Sequence, residues 1–140
     1  MDRCSKLEII KNFSDNTFFL NKFINLDLVW NTGIGFGLLS SDSNFIYNLT
    51  TFIIFAVISS LVYFMIISEI YEKTIFALII GGALGNFYDR IAFKAVPDFI
   101  DIHFYEFHWF TFNFADIFIT IGIGLYIFKD IFKKEHEKFN

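Results

Sequence analysis

The chain has 140 residues and a formal net charge of -4, and 55% of the residues are hydrophobic and 21% aromatic, including 22 phenylalanines. This composition excludes an ordinary soluble domain and indicates one membrane-embedded domain over residues 1–140. The acidic balance, with no basic cluster outside the C-terminal tail, argues against a nucleic-acid partner, and the single cysteine excludes an internal disulfide.

The first predicted element is a small extramembrane β region near residues 13–40. Apolar and polar residues alternate from Phe23 to Trp30, and the turn-forming sequence Asn31-Thr32-Gly33 follows. Such alternation is typical of a half-buried strand. We therefore expect a small sheet that lies on the membrane surface.

Three apolar runs follow, and each is predicted to cross the membrane as a helix. The run at 51–68 contains no charged residue and approaches the roughly 20 residues that cross about 30 Å of hydrocarbon. Two shorter apolar runs have polar ends, and they predict spans of about 74–91 and 113–130. The expected fold is a mainly α-helical membrane protein with three transmembrane helices.

The segment between the last two predicted spans is the loop of about 90–113. Its aromatic stretch at 104–112 is typical of an interfacial segment. Three crossings would place this loop on the same side of the membrane as everything before residue 51. The lysine-rich C-terminal tail favours a cytoplasmic C-terminus, although basic residues also occur in the segments on the opposite side of the membrane, before residue 51 and in the loop. This orientation puts the loop at the outer face.

Two aspartates flank this loop among apolar residues, namely Asp98 and Asp116. Carboxylates at membrane depth are energetically costly and usually functional. Two acids that share one proton can activate water, so the pair suggests an aspartyl hydrolase. Chemistry alone does not distinguish Asp98 from the neighbouring Asp101.

Two polar pairs have helical spacing near the outer ends of the predicted spans. Asn86 and Asp89 are three residues apart, as are Asn113 and Asp116, so each pair would share a helical face. The structural alternatives are that Asp116 only caps its helix and that Asp89 and Arg90 form an interfacial charge pair. The spacing predicts a polar cluster between two helices.

Two histidines near the acids raise the possibility of a metal site. His103 and His108 lie close in sequence to several carboxylates, but no HExxH or similar spacing is present. Serine-hydrolase and nucleotide-binding motifs are also absent from the sequence. We therefore expect no metal centre and no cofactor.

Four motifs carry a resemblance to a known family. They read NTGIGFG at 31–37, GGALGNFYDR at 81–90, VPDF at 96–99 and FNFAD at 112–116. In this order they strongly resemble the motifs of the lipoprotein signal peptidases, also called signal peptidase II, from about Asp2 to the end of the last predicted span. Gly35 stands where the family usually has alanine and Pro97 where it usually has valine, and neither change removes a functional group.

The resemblance implies an aspartyl endopeptidase of the bacterial inner membrane, with its active site at the outer face. The family removes signal peptides from diacylglyceryl-modified prolipoproteins, cleaving just before the lipidated cysteine. The matching catalytic residues are Asp98 and Asp116, one as general base and the other as acid. The positions that would shape or support the substrate site are Asn31, Gly33, Asn86, Asp89, Arg90, Asn113, Asp2 and Lys6. The implied partners are prolipoproteins and membrane lipid, without a cofactor, and no oligomeric state is assigned.

The family has four spans, and residues 2–6 resemble the end of its first span. We therefore expect Met1 to be an internal methionine of a longer protein. One competing hypothesis is a non-catalytic, truncated membrane protein that binds lipidated peptides. Another is ion or proton conduction, which predicts acids spread through the bilayer depth instead of gathered at one face.

Overall fold

The computed structural model describes residues 1–13, 17–33 and 43–138, with side chains up to residue 132. Within these ranges the chain forms four helices and a four-stranded antiparallel sheet. This mainly helical architecture with a small sheet agrees with the predicted fold class. The elements in chain order are α1 (Asp2–Asn12), β1 (Phe18–Asn21), β2 (Ile24–Asn31), α2 (Asn44–Ile67), α3 (Ile70–Phe93), β3 (Val96–Phe104), β4 (Phe107–Phe112) and α4 (Phe114–Lys138).

The three predicted spans fall on α2, α3 and α4, but the helices are longer than the apolar runs. In the described part of the chain, α2 and α3 are long and apolar enough to cross a membrane. Side chains on α2 such as Phe52 and Ile66 are 68% and 64% exposed, as expected for a surface that contacts lipid. A third crossing by α4 stays a prediction.

Helix α3 packs against both α2 and α4. Gly82 allows the close approach to α4, because a Cβ atom there would lie 2.6 Å from the carbonyl oxygen of Ala115. Small residues at such contacts bring helix backbones together in membranes. The contact places the C-terminal half of α3 beside the first turn of α4.

The strands follow one another in the sheet in the order β1-β2-β3-β4. The predicted β region is confirmed by β1 and β2, while residues 34–37 of the glycine-rich motif lie outside the described residues. The interpretation of 90–113 as a loop was wrong, because most of this segment forms β3 and β4, while the interfacial position of its aromatic stretch stays a prediction. Strand β4 pairs with β3, and β3 pairs in turn with the distant β2.

Helix α1 lies against α3 and β3. It was not predicted as a separate element. Lys6 and Ile9 are its buried residues, and both point toward the rest of the protein. The sheet, α1 and the adjoining ends of α3 and α4 therefore surround one region of the chain.

Candidate active site

Asp98 lies near the start of β3, where its carboxylate is held by two amide side chains. Asn31 donates a hydrogen bond from Nδ2 to Oδ2 (2.9 Å), and Asn113 donates from Nδ2 to Oδ1 (2.6 Å). The residue is only 3% exposed. Burial, with a smaller contribution from the charge of Asp116, raises the pKa of Asp98 to about 7, although both amide hydrogen bonds oppose the shift.

Asp116 lies in the first turn of α4 and forms a reciprocal cap with the residue before the helix. Its Oδ2 accepts a hydrogen bond from the backbone N–H of Asn113 (3.1 Å), and its own N–H donates to Asn113 Oδ1 (3.2 Å). This is the geometry of a capping box. The other oxygen, Oδ1, accepts from Asn86 Nδ2 (2.8 Å), so the carboxylate does more than cap the helix.

Asn113 therefore joins the two aspartates. It is fully buried, and it donates its side-chain amide to Asp98 and its backbone N–H to Asp116. One residue thus fixes both carboxylates relative to the start of α4.

Both carboxylates line one cavity of about 290 Å³. Asn86 and Arg90 of α3 and Asn31 of β2 also line it, while much of the remaining wall is apolar. A second cavity of about 300 Å³, between the sheet and α4, also reaches Asp116. Asp116 therefore borders two cavities. The apolar wall of the first includes Ile54, Ala83, Ile119 and Ile123.

Lys6 of α1 supports this site from behind. The side chain is fully buried, and its Nζ contacts Asn86 Oδ1 (2.7 Å), Asp2 Oδ2 (2.9 Å) and Asp89 Oδ2 (2.8 Å). The contact with Asn86 is a hydrogen bond, and those with Asp2 and Asp89 are ion pairs. Because Asn86 also donates to Asp116, Lys6 fixes the amide that orients this carboxylate.

Asp2 completes the packing of α1 onto α4. Its Oδ1 accepts a hydrogen bond from the backbone N–H of Ala115 (2.9 Å), which would otherwise be an unpaired donor in the first helical turn. Its Oδ2 binds Lys6. Asp2 of α1 and Asn86 of α3 thus both bind the first turn of α4.

Arg90 holds the Asn31–Gly33 turn. Its guanidinium is buried and donates to the backbone oxygens of Thr32 (2.9 Å) and Gly33. The N–H of Gly33 donates in turn to Asn31 Oδ1 (2.8 Å). Arg90 therefore positions the turn that orients Asn31, and Asn31 contacts Asp98.

All the predicted site residues within the described ranges come together around this cavity or directly behind it. Asp101, the alternative to Asp98, does not join them. Its carboxylate instead contacts the hairpin, where Oδ2 lies 2.7 Å from Nδ1 of His108. The suggested Asp89–Arg90 charge pair does not form either, since Asp89 instead contacts Arg3 (2.5 Å) and Lys6.

Sequence reasoning did not identify Arg3 or Tyr47. Arg3 contacts Asp89 and lies over the ring of Tyr88, and Tyr47 donates to the backbone oxygen of Arg90 (2.5 Å). The predicted cluster places three acids at one face, and such acids require basic partners. This requirement could have indicated Arg3. No local signal identifies Tyr47.

Comparisons with known proteins find close similarity over nearly the whole chain. A family profile described as signal peptidase (SPase) II matches residues 1–132. The lipoprotein signal peptidase of Pelagibacter ubique (strain HTCC1062) is 50% identical over 143 residues, covering 98% of this chain and 86% of the relative. The lipoprotein signal peptidase of Anaplasma phagocytophilum (strain HZ) is 36% identical over 140 residues, covering 96% and 86% respectively.

The fold is similar to that of solved membrane enzymes. A bacterial membrane enzyme solved by the in meso method at 2.3 Å resolution has a TM-score of 0.79 and 31% identity, covering 96% of this chain and 83% of that one. A second, solved at 1.9 Å, has a TM-score of 0.74 and 31% identity, covering 91% and 83%.

Proposed function

This chain belongs to the signal peptidase II family, and on that premise we propose that it is an aspartyl endopeptidase which removes signal peptides from bacterial prolipoproteins. The substrates are precursors carrying a diacylglyceryl group, and cleavage falls just before the lipidated cysteine. The observation that supports an aspartyl mechanism is that Asp98 and Asp116 line one cavity and are joined by Asn113.

The two carboxylates have different surroundings, which suggest different roles. Each accepts two hydrogen bonds from N–H donors, but only Asp116 lies at the N-terminus of a helix, where the helix dipole favours an anion. Asp98 is buried in β3, and its raised pKa of about 7 favours the protonated form in solutions more acidic than pH 7. We assign Asp116 as the general base and Asp98 as the acid.

The reaction then needs no external reactant except water. Asp116 takes a proton from a water molecule as its oxygen adds to the scissile carbonyl carbon, and Asp98 gives its proton to the carbonyl oxygen. When the tetrahedral intermediate collapses, the C–N bond breaks, the nitrogen takes the proton from Asp116, and the proton on oxygen returns to Asp98. The products are a signal peptide with a free carboxyl group and a lipidated cysteine with a free amine.

The cavity suits a substrate with lipid beside the scissile bond. Its polar groups include the two aspartates, Asn86 and Arg90, and its apolar wall comes from α2, α3 and α4. Helices α2, α3 and α4 would form three crossings, which put the sheet and both aspartates at the outer face of the inner membrane. Water can then reach the carboxylates while the acyl chains stay in lipid.

The test is cleavage of a diacylglyceryl-modified prolipoprotein by the purified chain in lipid nanodiscs, followed by gel shift. Asp98→Asn and Asp116→Asn should each abolish product formation, and the same precursor without its lipid should not be cleaved. Asp27→Asn is the matched control, because Asp27 lies on β2, accepts from Thr17 and does not line the cavity.

Two results would contradict the proposal. Substantial cleavage by either asparagine variant would exclude a catalytic pair. Crosslinking of the wild-type chain to the lipidated precursor without any cleavage would favour the non-catalytic, peptide-binding alternative.

A further inference from the structure

The β3–β4 hairpin carries a second group of ionisable side chains, separate from the cavity. His103 on β3 lies directly opposite His108 on β4, and their rings stack with centroids 5.3 Å apart. Asp101 is two residues before His103, so its side chain lies on the same face of the strand. The three residues offer ligand atoms that all lie within 4.8 Å of one another.

The geometry centres on one carboxylate oxygen. Asp101 Oδ2 lies 2.7 Å from Nδ1 of His108 and 3.7 Å from Nδ1 of His103. The side chain of Asp101 is 6% exposed, whereas that of His108 is 57% exposed. The group is therefore anchored in the protein at its acid and open to solvent at one histidine.

Two buried polar atoms around this acid have no hydrogen-bond partner among the described residues. One is Nδ1 of His103, which points toward Asp101 from beyond hydrogen-bond distance. The other is Oδ1 of Asn25, whose residue pairs with Asp101 across β2 and β3. Buried polar groups are rarely left unpaired, and each such case requires an explanation.

We propose that Asp101, His103 and His108 form a binding site for a divalent transition-metal ion, with Zn²⁺ as the expected occupant. Two imidazoles and one carboxylate are a ligand set that zinc accepts, and a water molecule would take the open position. Nitrogen donors disfavour Mg²⁺ and Ca²⁺, which prefer oxygen. Ligands around a tetrahedral zinc at about 2.0–2.2 Å are separated by roughly 3.3–3.6 Å, so small shifts of the two rings suffice.

The ion would act on structure and is separate from the peptidase reaction. Asp98 and Asp101 are three residues apart on β3, so their side chains point to opposite faces of the strand. The ligands span the hairpin turn, where Tyr105 has a φ of 54°. A bound ion would link β3 to β4 across this turn and restrict the motion of the strand that carries Asp98.

The experiment measures zinc retained by the full chain in detergent, purified without a polyhistidine tag and in a Cys4→Ser background, because Cys4 is an exposed thiol. We expect about one equivalent of zinc after gel filtration, resistant to excess Mg²⁺. His103→Ala and His108→Ala should each weaken binding about tenfold or more. Zinc should also raise the thermal midpoint of the parent protein and not of His108→Ala.

Two controls make the assignment specific. His136→Ala removes the remaining histidine of the sequence, and Glu106→Gln removes an exposed acid beside the same turn, so neither should change zinc binding. Loss of zinc on His136→Ala would overturn the proposal, as would retention by the double variant His103→Ala/His108→Ala. If that variant does not fold, the test is made on the parent protein. If it neither retains zinc nor shows the visible absorption of bound Co²⁺, the proposal is overturned, and Asp101 and His108 only contact each other.

Discussion

Replacing Asp98 by asparagine should leave stability nearly unchanged at pH 5 and increase it at pH 8. The pKa of Asp98 is about 7 in the folded protein, against an ordinary value of 3.8, so the folded state holds a proton that the unfolded chain releases. Its contribution is therefore fully favourable below pH 3.8 and is lost as the pH rises toward 7. By linkage, the loss is about 1.7 kcal/mol at pH 5 and about 4 kcal/mol at pH 8.

Asparagine does not ionise, so the variant avoids this pH-dependent loss of stability. The substitution also has an unfavourable effect on hydrogen bonding. Asn31 and Asn113 both donate to the carboxylate, and one of them would face the new amide nitrogen instead, which costs about 1–3 kcal/mol at any pH. Asp98→Asn should thus be nearly neutral at pH 5 and stabilising by roughly 2 kcal/mol at pH 8.

The assay is unfolding of the purified protein in mixed micelles by increasing SDS, followed by tryptophan fluorescence at both pH values. Glu8→Gln, on the exposed side of α1, is the matched control and should show the same difference from wild type at both. Equal destabilisation of Asp98→Asn at pH 5 and pH 8 would refute the reasoning, because the buried carboxyl would then impose no pH-dependent penalty.

The other predictions concern the supporting residues. Lys6→Met removes the buried cation shared by Asp2 and Asp89, which leaves the buried Asp89 with Arg3 alone, and should destabilise by about 3–5 kcal/mol in SDS unfolding, whereas Lys11→Met on the exposed face should not. Gly82→Ala should lower the free energy of unfolding by about 1–3 kcal/mol in the same assay, because its Cβ would meet the backbone of α4. Gly81→Ala, with open space around it, should be tolerated, and equal effects of the two variants would contradict the packing. Arg90→Lys keeps the charge but loses one of the two contacts to the Asn31–Gly33 turn, so prolipoprotein cleavage should fall roughly 100-fold; an unchanged rate would show that the turn needs no arginine.

Much of the candidate site could be predicted from local spacing and motifs. The three-residue separation of Asn113 and Asp116 predicted that the two residues meet, and they do, but as a capping box, because Asn113 precedes α4 and is not on its face. The choice between Asp98 and Asp101 could not be made locally. Three residues along a strand send these side chains to opposite faces, and only the packing of β3 determines which face meets the helices.

Long apolar runs and four ordered motifs were sufficient to predict a membrane protein, its three long helices and its family resemblance, because hydrophobic length and residue order are properties of the chain alone. The roles of Lys6 and His108 depended on the tertiary structure. Lys6 contacts Asn86 and Asp89 from a helix far away in sequence, and His108 meets His103 through the register of a hairpin. Such contacts depend on how elements pack and pair, and no local period of the sequence encodes them.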